Sequence, residues 1–472
     1  MTTETMERPK AFTADELRRM EILVVGLARS GFAACNVLRD VGSAVKVTDH
    51  KTADAIDFPL DHLRSRGVDI ELGQNSIEFA RDCDLVVVSP GVPLDIDVLR
   101  WAHSHGKPVI SEVELAYCLS DARFVAVTGT NGKSTTVSLL GEMLAGDMDR
   151  VRVGGNIGDP ISAIAAGLGS DWVLVIEVSS FQLDTILSFR PAVSVLLNIT
   201  PDHLDRYSSY EDYVGSKARI FENQAGDDIA IINYDDADCV RALRAVRCKR
   251  LGFSLKHEIE EGAFLKEKSV VVRVGGRDRS ILLTDDLRIR GPHNLANTLA
   301  ATLAATVLQC QPKTIRDAAR GFRGLEHRLE HVAMVRGVDY INDSKATNVD
   351  ALVSALVSVS SPVVLIAGGR DKGGDFSRLS SLVRERVKAM IVIGEASDRL
   401  SEELSDVTRV LVAADLEEAV KIARDSATDG ETVLLSPGCA SYDMFRDFEH
   451  RGRVFKKIVM GLKEEDGGLY DG

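Results

Sequence analysis

A chain of 472 residues with 45% apolar content is too long to close around one hydrophobic core and has material for about three domains. Its 57 basic and 71 acidic residues give a formal net charge of −14, which argues against a nucleic-acid backbone as the main partner and leaves room for a small anion in a local basic pocket. Seven scattered cysteines without C-x-x-C spacing suggest neither a disulfide framework nor a zinc site, and no apolar run reaches the roughly 18 residues that cross a bilayer, so a reducing cytoplasm and no membrane are expected.

Residues 1–20 read as a polar lead-in without the apolar centre of a signal peptide. From Glu21, the run E-I-L-V-V-G-L-A-R-S-G predicts a strand, a glycine turn and a helix over 32–38, the opening of a Rossmann-like unit. A second strand over 44–48 ends at Asp49, near the distance at which a dinucleotide fold places its ribose-binding acid. The fingerprint is broken, because Gly26 and Gly31 flank Ala28 where backbone would have to approach a pyrophosphate. A nucleotide other than NAD is therefore the better fit, with a dehydrogenase as the disfavoured alternative. The strand over 85–88 ends in S-P-G-V-P at Ser89, either a ligand loop at a carboxyl strand end or a plain proline-glycine turn.

Near Asp121 a second domain begins with F-V-A-V-T-G-T-N-G-K-S-T-T, a buried strand turning through Gly129 and Gly132 into a helix. This is a shortened P-loop, since Val127 stands where the usual spacing asks for a glycine. Backbone N–H groups from Gly129, Thr130, Asn131 and Gly132 would cradle a phosphate, Lys133 adds a point charge, and Ser134 offers a hydroxyl to Mg²⁺; ATP is the expected guest. Downstream, G-G-N-I-G places Asn156 among glycines. In W-V-L-V-I-E-V-S-S-F-Q-L, Glu177 lies inside a predicted central strand, where a charge is costly unless paired or bound to metal. The strand over 193–198 delivers I-T-P-D-H-L-D-R-Y, and His203 beside Glu177 and the cradle makes a second divalent ion reasonable. Lys217, in Y-V-G-S-K-A-R-I-F, reads by itself as a solvated lysine on a helix face. Residues 241–288 alternate short strands and polar turns and carry no functional signal. In G-P-H-N-L-A-N-T-L, Asn294 and Asn297 share a helix face, where they either read an adenine edge or cap the helix.

A third domain is expected from about Gly324. Arg328, in G-L-E-H-R-L-E, suits phosphate oxygens or is an ordinary surface arginine at a junction. Y-I-N-D-S-K-A-T-N gathers Asp343, Ser344, Lys345, Thr347 and Asn348 after a short strand, and P-V-V-L-I-A ends in G-G-R-D-K-G-G with Lys372. T-V-L-L-S-P-G-C-A-S-Y-D-M-F-R-D-F carries Ser436, Ser441, Tyr442 and Phe448 from a strand into a helix, completing another doubly wound unit. The expected class is α/β in three domains: Rossmann-like over 21–120, a P-loop ATPase-type parallel sheet over 121–323, and Rossmann-like over 324–472.

Together, T-G-T-N-G-K-S-T, G-G-N-I-G, E-V-S-S-F-Q-L and D-H-L-D-R-Y resemble the Mur ligases, the ATP-dependent enzymes that add amino acids to the peptidoglycan precursor. Within that family, N-D-S-K-A-T-N and S-P-G-C-A-S-Y-D-M-F are similar to the motifs of the D-glutamate-adding member, and no D-N-P-R-type motif of the diamino-acid-adding member is present. The resemblance implies a cytoplasmic, monomeric ligase acting through an acyl phosphate on UDP-N-acetylmuramoyl-L-alanine and D-glutamate. It implies ATP at the residues 129–135 through Thr135, with Asn294, Asn297, Arg328 and Asp343, and catalysis by Lys133, Glu177, His203 and Lys217. It reverses the reading of Lys217: carbamylated by CO₂, it would join Ser134, Glu177 and His203 in holding two Mg²⁺ ions. It implies UDP-sugar contacts at Leu27, Ala28, Arg29, Thr48, Asp49, Ser89, Gly91, Asn156, Ser179 and Gln182. D-Glutamate is implied at Lys345, Thr347, Lys372, Ser441, Tyr442 and Phe448, with the third domain closing over ATP during turnover. A folylpolyglutamate-type ligase, another Mur-type ligase and a nucleotide-dependent switch are the alternatives.

Overall fold

The computed structural model describes residues 10–467 except 156–157, 203–205, 290 and 372, with only the backbone at Ala245 and 464–467. The chain divides into two compact units, one of Met1–Ile199, Glu211–Asp286 and Ala296–Arg320, the other of Thr200–Tyr210, Leu287–Leu295 and Gly321–Gly472. The first unit contains two sheets and the second contains one.

The first sheet is built from strands β1 (Glu21–Val25), β2 (Ala44–Asp49), β3 (Val68–Leu72), β4 (Leu85–Val88) and β5 (Val109–Ser111). They pair in parallel in the order β3-β2-β1-β4-β5. Continuous apolar runs suit such strands because both faces are covered: Ile22 and Val24 pack with Cys35 and Leu38 on one side, Leu23 and Val25 with Val98 and Leu99 on the other. Strand order reverses between β1 and β4, and at such a switch point a doubly wound sheet leaves a crevice outside the carboxyl ends of its strands. The helix expected over 32–38 runs over Arg29–Val41 and stops at Gly42, whose φ of +96° an L side chain rarely adopts.

The second sheet runs β14-β13-β12-β11-β10-β9-β6-β8-β7. Its strands are β6 (Arg123–Thr128), β7 (Val151–Gly155), β8 (Val173–Glu177), β9 (Val193–Leu196), β10 (Ile229–Asn233), β11 (Lys249–Ser254), β12 (Gly262–Lys266), β13 (Ser269–Val274) and β14 (Arg277–Leu283). Pairing is parallel from β7 to β12 and antiparallel through β13 and β14. The segment 241–288 is thus mainly β11 and a meander extending the sheet away from the cradle strand. Because β6 lies between β8 and β9, the ends of those two strands flank the turn after β6 directly. The strand expected over 193–198 ends at Leu196, which leaves Asn198 to turn toward that loop.

In the second unit, β15 (Glu330–Val335) pairs antiparallel with β16 (Val338–Asn342), and β17 (Val363–Gly368), β18 (Val387–Ile393), β19 (Arg409–Val412) and β20 (Thr432–Leu435) complete the sheet. The order is β15-β16-β20-β17-β18-β19, parallel from β16 onward. Parallel pairing of β16, β20 and β17 brings three loops to one sheet end: those opening at Asp343, Ser436 and Gly369.

Candidate functional site

The turn after β6 is shaped by close packing. Gly129, at φ +153°, lies where a Cβ would stand 3.0 Å from Leu197 Cβ, and Gly132, at φ +87°, where one would stand 2.3 Å from Asn297 Oδ1. Gly132 caps the helix Lys133–Ala145, whose opening N–H groups and dipole favour an anion. Asn198 clamps the turn from β9: its Oδ1 accepts from Asn131 N at 2.8 Å, its Nδ2 donates to Asn131 O at 2.9 Å, and its carbonyl accepts from Thr130 N at 2.9 Å. Lys133 Nζ rests on the carbonyls of Gly129 (2.8 Å) and Thr130 (2.9 Å), which keeps the ammonium at the mouth of the cradle. Ser134 Oγ donates to Glu177 Oε2 at 2.6 Å, and both residues are buried. A hydroxyl and a carboxylate side by side at a phosphate cradle form a hard-oxygen pair suited to Mg²⁺. Thr135 is buried in the first turn of the helix.

The solvated-lysine reading of Lys217 is overturned. It is 2% exposed, at the end of the helix Tyr210–Ala218, with Nζ donating to Gly129 O at 3.0 Å and lying 4.6 Å from the Tyr213 ring centre. Tyr213 OH in turn is 3.1 Å from Thr130 Oγ1. Asn294 and Asn297 are buried in the helix Pro292–Val307, with Asn297 pressed on Gly132. Ser179 and Gln182 bond one another in a capping box at the start of Ser180–Leu183, a local role that the S-x-x-Q spacing signals. His203 and Asn156 lie outside the described residues, as does Asp205.

At the crevice of the first sheet, a Cβ on Gly31 would stand 1.9 Å from Gly26 O, so the broken fingerprint keeps its outer glycines for close packing of turn and helix. Ser89 Oγ donates to Gly26 O at 2.8 Å. Asp49 receives Leu27 N at 2.6 Å and Lys51 N at 2.9 Å, so its carboxylate shapes the turn itself. Leu27 is core, whereas Ala28, Arg29 and Gly91 are exposed at the crevice. Ala28 provides no side-chain cap to the helix Arg29–Val41, so the N-terminal N–H groups need another acceptor. The buried Thr48 hydroxyl bonds to Glu71, Gln74 O and Asn75 at the end of β3.

In the second unit, fully buried Asp343 accepts from Ser436 Oγ at 2.9 Å and Leu329 N at 3.1 Å, with Arg328 Nη1 at 3.7 Å. Burial pushes its carboxyl above the usual range, against the pull of Arg328 and these donors. Arg328 is flanked by His327 at φ +64° and Leu329 at φ +44°, strained backbone that holds its guanidinium out of a regular element. Lys345 Nζ lies 4.7 Å from the Phe448 ring centre. Thr347 is half-buried, Ser441 buried and Tyr442 exposed; Lys372 lies outside the described residues.

Arg451, which sequence reasoning missed, ties this end together. It is 1% exposed and bonds Ser344 Oγ (3.0 Å), Ser344 O (2.9 Å) and Cys439 O (3.3 Å), while burial pushes its guanidinium down to about 10. Its only sequence signal is an arginine on the apolar side of a C-terminal helix. Glu326, His327 and Glu330 also cluster, but Lys456 Nζ bonds Glu326 Oε1 at 2.9 Å and also reaches Glu330, so a cation of the chain already occupies that position.

Three family models match the chain: "Mur ligase MurD-like, N-terminal domain" over 20–111, "Mur ligase middle domain" over 127–305 and "Mur ligase, glutamate ligase domain" over 327–439. The chain is 43% identical over 451 residues to a UDP-N-acetylmuramoylalanine--D-glutamate ligase of Koribacter versatilis, covering 96% of this chain and 99% of that one. It is 44% identical over 447 residues to a ligase of the same description from Pelobacter propionicus, covering 95% and 100%. Among solved structures it is similar in fold to UDP-N-acetylmuramate-alanine ligase from Thermotoga maritima, at TM-score 0.61 and 19% identity over 94% of this chain and 100% of that one. It is likewise similar to a pseudomurein peptide ligase type C from Methanothermus fervidus, at TM-score 0.60 and 18% identity over 94% and 100%.

Proposed function

The chain belongs to the Mur ligase family, and from that membership we propose that it joins D-glutamate to UDP-N-acetylmuramoyl-L-alanine at the expense of ATP, in peptidoglycan precursor synthesis. The choice of amino acid rests on the full-length match to relatives whose names give D-glutamate. One observation carries the ATP chemistry: the Ser134–Glu177 pair, 2.6 Å apart, at the mouth of a glycine-built cradle.

Making an amide from a carboxylate requires a leaving group on its carbonyl carbon. The alanine carboxylate attacks the γ-phosphorus of ATP, ADP departs, and an acyl phosphate forms; the D-glutamate amine then attacks that carbonyl and phosphate leaves. Residues 129–135 hold the polyphosphate through backbone N–H groups, and Lys133 offsets charge on the transferring group. Mg²⁺, when bound at Ser134 and Glu177, supplies further charge neutralisation. His203 and Lys217 are proposed for a second ion. Carbamylation of Lys217 is part of the proposal: the amine stands beside the cradle, and a carbamate nitrogen keeps one N–H for Gly129 O. Exposed Ala28, Arg29 and Gly91, with Ser89, are proposed to take the diphosphate and uridine. Lys345, Thr347, Lys372 and Ser441, with Tyr442 and Phe448, are proposed for D-glutamate, and Asn294, Asn297, Arg328 and Asp343 for ATP. The domain limits at residues 120 and 323, a cytoplasmic location and a monomeric state are part of the same reading.

Phosphate release from ATP and Mg²⁺ with UDP-N-acetylmuramoyl-L-alanine tests it, comparing D-glutamate, L-glutamate, L-lysine, meso-diaminopimelate and no amino acid. Release that requires D-glutamate supports the reading. Equal release in every tube would make the chain a nucleotide-dependent switch, and release with another amino acid would keep the ligase and remove the substrate.

A further inference from the structure

Glu112 opens the helix Glu112–Cys118 that leads from β5 to the cradle strand β6, and none of the steps above uses it. It is 1% exposed. Its Oε1 accepts from Ser162 N at 2.9 Å and Ser162 Oγ at 2.7 Å, and the Ser30 side chain lies close enough to the same carboxyl group to favour its charged form. Ser30 lies in the first turn of Arg29–Val41, the helix whose N-terminus opens on the β1/β4 crevice. Ser162 lies in Ile161–Ala165, and these three helices pack against one another.

From Ser162 the contacts continue without slack to the cradle. A Cβ on Gly154 would stand 2.3 Å from Ile164 Cδ1, Gly155 N donates to Asp159 O at 3.1 Å, and a Cβ on Gly155 would stand 2.5 Å from Glu177 O. One buried carboxylate therefore holds the segment that packs between the nucleotide helix and the strand ends that hold Glu177. Burying a carboxylate is costly, and an apolar side chain would serve a plain helix contact at less cost. What a carboxylate adds is direction, since it holds Ser162 by two hydrogen bonds where its helix packs against the nucleotide helix.

We propose that Glu112 is a positioning residue: it fixes the nucleotide helix relative to the cradle, so that a substrate gripped at its diphosphate presents its distant carboxylate to the γ-phosphate. This rests on the reading that the diphosphate lies at residues 28–31. Binding energy at one end of a long substrate helps chemistry at the other only if the two subsites keep their register.

The test uses the full chain with Glu112→Ala, Glu112→Gln and Ser162→Ala, measuring melting temperature, calorimetric affinities for UDP and for ADP with Mg²⁺, and kcat. In Glu112→Ala, both affinities stay within about twofold of wild type while kcat falls about 10- to 100-fold, as a displacement near 1 Å would produce. Glu112→Gln restores kcat, because its amide oxygen can still accept both hydrogen bonds from Ser162. Ser162→Ala, which keeps the main-chain donor, loses about threefold in kcat by weakening one hydrogen bond, and it decides the matter if Glu112→Ala does not fold. Unchanged kcat in both truncations, affinities and melting temperature falling along with kcat, or a Gln variant as poor as the Ala variant would each overturn the proposal. If the wild-type chain fails to bind UDP at all, the nucleotide reading falls first and takes the proposal with it.

Discussion

The cradle of the first unit and the loop at Asp343 in the second handle charge by opposite means. Around the cradle, cations meet backbone carbonyls of one short turn: Lys133 and Lys217 both rest on Gly129 O, and Lys133 also on Thr130 O. At the loop, the arginine comes from far along the chain, with Arg451 bonding Ser344 across 107 residues. The first arrangement is mostly written in one contiguous motif. The second exists only once β16, β20 and the C-terminal helix have assembled. An anion site made of backbone should therefore lose function with little loss of stability, whereas a loop held by a buried arginine should lose both.

Glu177→Ala is the strongest test of the first half. It removes the carboxylate of the Ser134 pair, and kcat should fall by about 1,000-fold with the melting temperature nearly unchanged, consistent with the loss of electrostatic stabilisation at a charge-transferring site. A variant that keeps a tenth of wild-type phosphate release would separate Glu177 from the chemistry. Arg451→Met tests the second half. It removes the donor to the buried Ser344 carbonyl, and denaturant melts should give a loss of about 3 kcal/mol, together with a raised KM for D-glutamate and an unchanged KM for ATP. A loss confined to stability would make Arg451 a fold residue only.

Legibility followed the same division. Gly129, Gly132, Lys133 and Ser134 are legible as a strand–glycine–helix junction, because such a junction is local in the chain. Glu177 stands out because a charge in an apolar strand demands partners, and the Ser134 hydroxyl is one of them. Asn198 was not read, since nothing in N-I-T-P distinguishes a strand-end amide that clamps the cradle from one that faces water. Lys217 by periodicity alone reads as solvated, and periodicity carries no trace of the Tyr213 and Gly129 contacts that it makes in its buried position. His327 illustrates the limit in the second unit. A Cβ on Gly452 would stand 2.3 Å from its Nδ1, a glycine requirement set by a residue more than a hundred positions away and invisible to any local pattern.

Asn198→Ala asks whether the cradle is wholly local. Losing both side-chain bonds to Asn131 should raise KM for ATP about tenfold, with a smaller change in kcat. If KM is unchanged, the motif shapes itself without β9.

The smallest effect concerns pH. His293 Nε2 is closed off with no hydrogen-bond partner among the described residues, and burial, with Arg328 nearby, pushes the imidazole down from 6.5 to about 3. The unfolded chain therefore binds the extra proton between those values. The stability gained by keeping His293 neutral is complete above about 6.5 and lost as pH falls toward the folded value. His293→Gln should flatten the decline of melting temperature between about pH 7 and 5; parallel curves for variant and wild type would rule His293 out as its source.

The most direct test of the central claim is the mass of the sugar nucleotide after incubation of the chain with ATP, Mg²⁺, UDP-N-acetylmuramoyl-L-alanine and D-glutamate. A product heavier by one glutamyl residue is expected, formed in step with ADP and absent when L-glutamate replaces the D-isomer. ADP formed with no change in the mass of the sugar nucleotide would contradict it.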